Sequence, residues 1–101
     1  MPQVSKPQRN PSTEAEAARS ALQTAVGRRI HDVRLAVGLG QAECARTAGI
    51  DTSSMFRIET GAQNLTLDTL ARVALALDVP MDELLTGVRP DPAIIQLRTR
   101  G

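Results

Sequence analysis

The chain is nearly devoid of aromatic residues: Phe56 stands alone, with no Trp and no Tyr among 101 positions. Its core must therefore be aliphatic. The one cysteine, Cys44, excludes an internal disulfide, and with His31 as the one histidine a four-ligand zinc site of Cys and His cannot be assembled. No run is long and apolar enough to span a bilayer. The opening MPQVSKPQRNPST lacks an apolar h-region, so no secretory signal and a cytoplasmic location are expected. Enzymatic signatures are missing as well. There is no Gly-rich phosphate loop, no carboxylate pair at a recognisable spacing and no supported Cys–His couple, and His31 beside Asp32 makes no triad. Neither catalysis nor a cofactor nor a bound metal is expected.

What is present fits one small domain. A domain of this size buries only about 60% of its unfolded surface, so self-association would help it. The net charge of +1 excludes a strongly basic protein, but the charge is unevenly placed. Residues 20–86 carry six Arg against eight acids, a net −2, whereas residues 1–19 carry +1 and residues 87–101 carry +2. Attraction to phosphate would have to come from local placement and from the flanks.

Residues 1–12 hold three prolines among Gln, Ser, Lys and Arg. This composition cannot bury enough to fold, and it reads as a disordered basic arm. Such an arm either grips phosphates or the minor groove, or is a solvated tail. The capping box Thr13–Glu16 opens a helix. Leu22, Val26, Ile30, Val33 and Val37 then form one apolar stripe, closed by Gly38. A second helix spans Gln41 to Ala48 with Gly40 as a side-chain-less N-cap. A third spans about Thr52 to Thr60, capped by Asp51 and closed by Gly61. Thr66 caps a fourth, with Leu67, Leu70, Val73, Ala74 and Leu77 as its stripe. Pro80 opens a short fifth helix, Met81 to Leu85, ended by Gly87. The domain is thus expected over residues 13–87, with its core in 22–86. Residues 88–101 form a tail offering a short helix or a dimer contact. No strand pattern and no internal repeat is seen.

The stretch QAECARTAGIDTSSMFRIETG decides the motif. Cys44, Ala45 and Ala48 share one helix face, Met55 and Ile58 share one on the next, and Ile50 fills the corner. Small Ala45 allows a close crossing, and Gly49 tolerates the positive φ of the turn. This is the steric recipe of a helix-turn-helix. Ser53, Phe56, Arg57 and Thr60 lie on the other side of the third helix. In the DNA-binding form of the motif that side enters the major groove. Arg57 then reads guanine or is a solvated arginine. Thr52 and Ser53 are short donors. Phe56 contacts a thymine methyl, or else packs on the chain's own arm or a partner. Gln41 hydrogen-bonds a phosphate or orients a neighbour. Cys44 is expected in the core and His31 on the surface of the first helix.

From Val26 to Leu85 the chain resembles the phage Cro/repressor type of helix-turn-helix regulator, often called the xenobiotic-response-element (XRE) family. The segments that carry the resemblance are IHDVRLAVGLGQAECA, AGIDTSSMFRIETG and TLDTLARVALALDVPMDELL. The resemblance implies an all-α, compact five-helix lambda-repressor-like domain that dimerises on a palindromic operator. It also implies a partly buried ion pair, Arg34 with Glu59, tying the first helix to the third. Three departures from the family pattern weaken phosphate affinity and leave the fold intact. Gly40 precedes Gln41, the reading helix begins with Asp51, Thr52 and Ser53, and Ala62, Gln63 and Asn64 are neutral.

The expected function is sequence-specific binding of double-stranded DNA by a transcriptional regulator, most simply a repressor, acting as a homodimer. The expected contacts are Gln41, Thr52, Ser53, Phe56, Arg57, Thr60 and Asn64. The competing reading is an antitoxin or protein-interaction module with a partner such as a toxin, DNA binding being secondary or absent. For the dimer surface, Leu84, Leu85 and Val88 are the first choice, and Ile94, Ile95 and Leu97 the second.

Overall fold

The computed structural model describes residues 11–95. Four α-helices are followed by two short 3₁₀ segments: α1 (Pro11–Val37), α2 (Gln41–Ala48), α3 (Thr52–Thr60), α4 (Leu67–Leu77), η1 (Met81–Leu85) and η2 (Pro92–Ile94). No strand occurs among the described residues, and none of their helices is long and apolar enough to cross a membrane. Local chemistry accounts for most boundaries. The Asp51 side chain accepts from the Ser54 N–H at 2.7 Å, and the Thr66 hydroxyl accepts from the Thr69 N–H at 3.1 Å. Each satisfies one of the orphan donors of a helix start. Gly49 and Gly61 end α2 and α3 at φ +75 and +82, where their N–H groups bond back to carbonyls of the preceding turn.

The interior is aliphatic. Ile30, Met55, Ile58, Leu77, Leu84 and Val73 are the largest fully buried side chains, and Cys44 lies among them at 0% exposure. Each large one contributes about 1.5–3 kcal/mol by leaving water. Helix α2 packs on both α3 and α4, and α1 lies across α3. That crossing is unusually close. A Cβ at Gly27 would overlap the Ile58 carbonyl oxygen and come within 2.9 Å of that of Glu59. A Cβ at Gly61 would reach 2.7 Å from the Thr24 Cα. Two glycines, Gly27 within α1 and Gly61 at the end of α3, thus let backbone meet backbone.

The structure corrects several expectations. The fifth helix is the 3₁₀ segment η1. Only five residues separate Pro80 from Thr86, too few for a repeated i→i−4 ladder. Pro11 and Ser12 belong to α1, so that helix begins before the Thr13 boundary; proline suits a first helical position because its missing N–H has no intrahelical acceptor there. Residues 1–10 of the arm, and Leu97, lie outside the described residues. Leu67, at the first position of α4, is 76% exposed and Val37, at the last of α1, 46% exposed, so neither belongs to the core. Conversely Ala15 and Ala18 are buried, in helical register with half-buried Leu22. Their half of α1 precedes the apolar stripe, and η2 folds back against α1. Leu84 is fully buried in the protein's own core and so is unavailable for a dimer surface, whereas its neighbour Leu85 is 42% exposed.

Candidate nucleic-acid interface

Helix α3 presents two unlike sides. Met55 and Ile58 face inward with 0% and 1% exposure, against α2 and α1. Thr52, Ser53, Phe56, Arg57 and Thr60 are all exposed, Phe56 at 56%. The helix start is fixed by Asp51, whose carboxylate also accepts from the Ser53 hydroxyl at 3.0 Å. The Ser54 N–H first, then the Ser53 hydroxyl, hold the Asp51 carboxyl below its usual range.

Behind α3 sits a polar hub on Glu59, whose side chain is 3% exposed. Arg34 grips it with both ends of a fork, Nε to Oε2 at 2.6 Å and Nη2 to Oε1 at 2.9 Å. Gln41 Nε2 donates to Oε1 at 3.1 Å, and His31 Nδ1 lies 2.9 Å from the same oxygen. A fifth bond, Arg34 Nη1 to the Leu39 carbonyl at 2.9 Å, anchors the loop after α1. Burial pushes the Glu59 carboxyl up, but Arg34, His31 and Gln41 outweigh it and hold its pKa below the ordinary value. The Arg34 pKa is raised, chiefly by its hydrogen bond to Glu59. A bidentate, fully satisfied pair of this kind positions as well as binds. The hub joins α1, α2 and α3, so it sets the angle at which the exposed side of α3 is presented. Two partners far along the chain brace the assembly. Arg29 Nε donates to the Glu83 carbonyl at 2.7 Å, and Arg72 Nη1 lies 3.5 Å from the Ala48 carbonyl at the end of α2.

The expected contact residues are not equivalent. Gln41, Phe56 and Thr60 border one hollow with Arg28, His31, Asp32 and Glu59. Gln41 spends one amide hydrogen on Glu59, which leaves its other donor and its oxygen. The Thr60 hydroxyl donates back to the Phe56 carbonyl at 3.0 Å and so presents mainly its methyl outward. Arg57 is folded along the helix, Nη2 to the Ser54 hydroxyl at 3.1 Å and Nε to Gln63 Oε1 at 3.3 Å. Asn64 stands apart, at the edge of an apolar groove lined by Leu22, Leu67, Leu70, Leu85 and Ile94. His31 is not a plain surface residue, because it takes part in the Glu59 hub. Sequence reasoning also missed Gly27 and Arg28; the apolar periodicity of α1 marks neither. No cluster of three or more metal-ligating side chains occurs among the described residues.

A family model described as "Helix-turn-helix domain" matches residues 25–86, more than half of the chain. The chain belongs to the helix-turn-helix domain family. It is an XRE-like DNA-binding regulator. A solved structure, the restriction-modification controller protein C.AhdI from Aeromonas hydrophila, shares 34% identity with it at a TM-score of 0.60. That likeness covers 61% of this chain and 94% of the controller protein. A search of curated proteins gave no match. The regulator's family points to DNA binding rather than catalysis, with double-stranded DNA as the ligand of the motif. The first part of α1 and all of η2 lie outside the matched residues.

Proposed function

We propose that this regulator is a sequence-specific repressor that binds as a homodimer, α3 entering the major groove of each of two half-sites about one helical turn apart. The observation that carries this reading is the exposed face of α3, Thr52, Ser53, Phe56, Arg57 and Thr60, backed by a core and a hub that allow that helix little freedom to turn. Gln41 and Asn64 complete the contact set. The likeness to a controller protein supports gene control as the class of activity. Selection of bound fragments from genomic DNA, followed by a promoter-reporter assay, tests the reading; recovery of no enriched sequence rejects it.

Arg57 is the reader of a base in this scheme. Releasing its bonds to Ser54 and Gln63 frees the guanidinium for guanine O6 and N7. Arg57→Ala is expected to cost about 1–3 kcal/mol in binding and to relax preference at one base position. A gel-shift series with equal loss on every sequence would reject that role.

For the homodimer, the exposed side chains of Leu67 and Leu85 flank the apolar groove and replace the buried Leu84 in the proposed surface. A two-fold interface needs a patch that complements itself, and a groove beside protruding leucines offers both parts. Leu67→Lys with Leu85→Lys is expected to leave the fold intact and to give monomers in sedimentation. A dimer that persists points to another surface.

The net −2 of residues 20–86 together with exposed Phe56 favours, as a second reading, a module whose ligand is a protein, an antitoxin among them. A salt titration separates the two. Binding to duplex DNA loses affinity with a log–log slope of about −0.9 for each phosphate contacted.

A further inference from the structure

Resting on the DNA-binding reading, we infer that the hollow between α1 and α3 seats a backbone phosphate of the duplex and that Arg28 is its charge partner. The hollow opens beside the exposed face of α3 and is bordered by Gln41, Phe56 and Thr60 from the proposed contact set. Arg28, His31 and Asp32 form its α1 wall, and Glu59 is its deepest acid.

Accounting for the cations narrows the candidates. Residues 20–86 contain six arginines. Arg29 is paired with Glu83, Arg34 with Glu59 and Arg72 with Asp68. Arg57 lies on the face of α3. Arg28 and Arg46 remain, exposed and with no ion pair or side-chain hydrogen bond among the described residues. Of these two, Arg28 borders the hollow.

The charge balance shows why this arginine matters. Inside the hollow Glu59 is matched by Arg34 at 2.6 Å, so that pair is neutral toward an incoming anion. Asp32 is the one exposed carboxylate on the wall. Arg28 and Asp32 together carry a formal charge of zero, which becomes −1 when Arg28 is removed. A phosphodiester approaching Gln41 and Thr60 therefore meets a neutral wall with an exposed guanidinium, or a repulsive wall without one. The neutral loop at Ala62, Gln63 and Asn64 provides no cation of its own. Arg28 also has the right chemistry for the task, a planar fork that matches phosphate oxygens in pairs.

The test uses the full chain and two duplexes, the best genomic fragment from selection and a scrambled duplex of equal length. Dissociation constants are measured across a salt series for wild type, Arg28→Gln, Arg28→Lys and Arg46→Gln. Arg28→Gln is expected to weaken binding to both duplexes by the same factor and to reduce the salt slope by about 0.9 for each bound protomer. Arg28→Lys keeps the slope, and Arg46→Gln leaves it unchanged. Equal melting temperatures for all four proteins show that folding is untouched. A wild-type slope retained by Arg28→Gln overturns the inference, as does an equal loss in Arg46→Gln. If the wild-type protein itself binds neither duplex, the DNA-binding reading has failed, a result distinct from either of these.

Discussion

Replacing Gly27 by alanine is expected to destabilise the regulator strongly for so small an exchange. In an ordinary helix interior the same change is favourable by about 0.5–1 kcal/mol, because alanine loses less backbone entropy. Here the new methyl would overlap the Ile58 carbonyl and crowd that of Glu59, both of them backbone atoms of α3. A side chain could rotate away; a carbonyl in a helix cannot. Helices α1 and α3 must therefore separate, with loss of contact around Ile30 and Ile58. Overpacking of this kind costs about 1–3 kcal/mol or more, so the sign of the usual alanine effect reverses. With about 4–8 °C per kcal/mol for a domain of this size, a loss near 3 kcal/mol lowers the melting temperature by about 12 °C or more. Gly40→Ala is the control, since a Cβ there meets nothing within 4 Å. Thermal denaturation of the two variants checks the expectation, and a Gly27→Ala protein that melts at or above wild type refutes the close crossing.

Removing Glu59 is the second large effect expected. Glu59→Ala leaves the Arg34 guanidinium, 8% exposed as a side chain, without its carboxylate and takes an acceptor from Gln41 and His31. Loss of one member of such a buried pair costs about 3–5 kcal/mol, a large share of the roughly 5–15 kcal/mol that holds a domain together. The hub also orients α3, so DNA affinity should fall even at temperatures where the variant stays folded. Acid provides an independent check. The folded-state pKa of Glu59 lies below its ordinary value. Its contribution is therefore fully present above the unfolded carboxylate pKa of about 4.3 and is lost as pH falls through the lower, folded value. Wild-type stability should drop along that acid limb, and Glu59→Gln, already weaker at neutral pH, should show a shallower drop. Identical acid limbs in urea denaturation would show that the hub does not couple to folding.

Several features of this fold were legible because their causes act within a turn or two of the chain. Asp51 and Thr66 cap the helices they precede, and Gly49 and Gly61 take the positive φ that ends α2 and α3. Cys44, Ala45, Ala48, Met55 and Ile58 fall inward by helical spacing alone. The pairing of Arg34 with Glu59 was implied by family resemblance, since no local rule joins residues 25 positions apart. Other features lie beyond local rules. Leu67 and Leu84 look alike in the sequence, yet one starts a helix in solvent and the other is sealed under α1 and α4. His31 looks like a surface histidine until α3 brings Glu59 to it across 28 positions.

By itself, then, the amino-acid order determined the helical segments, their ends, the inward side of each and the kind of motif they make, because capping, φ preference and periodic burial are properties of neighbours along the chain. Only the packed structure decided how near α1 lies to α3, which leucines remain in water and which arginines remain without an acid. Those outcomes depend on the meeting of surfaces distant in sequence, and there the missing methyls at Gly27 and Gly61 allow two backbones to touch.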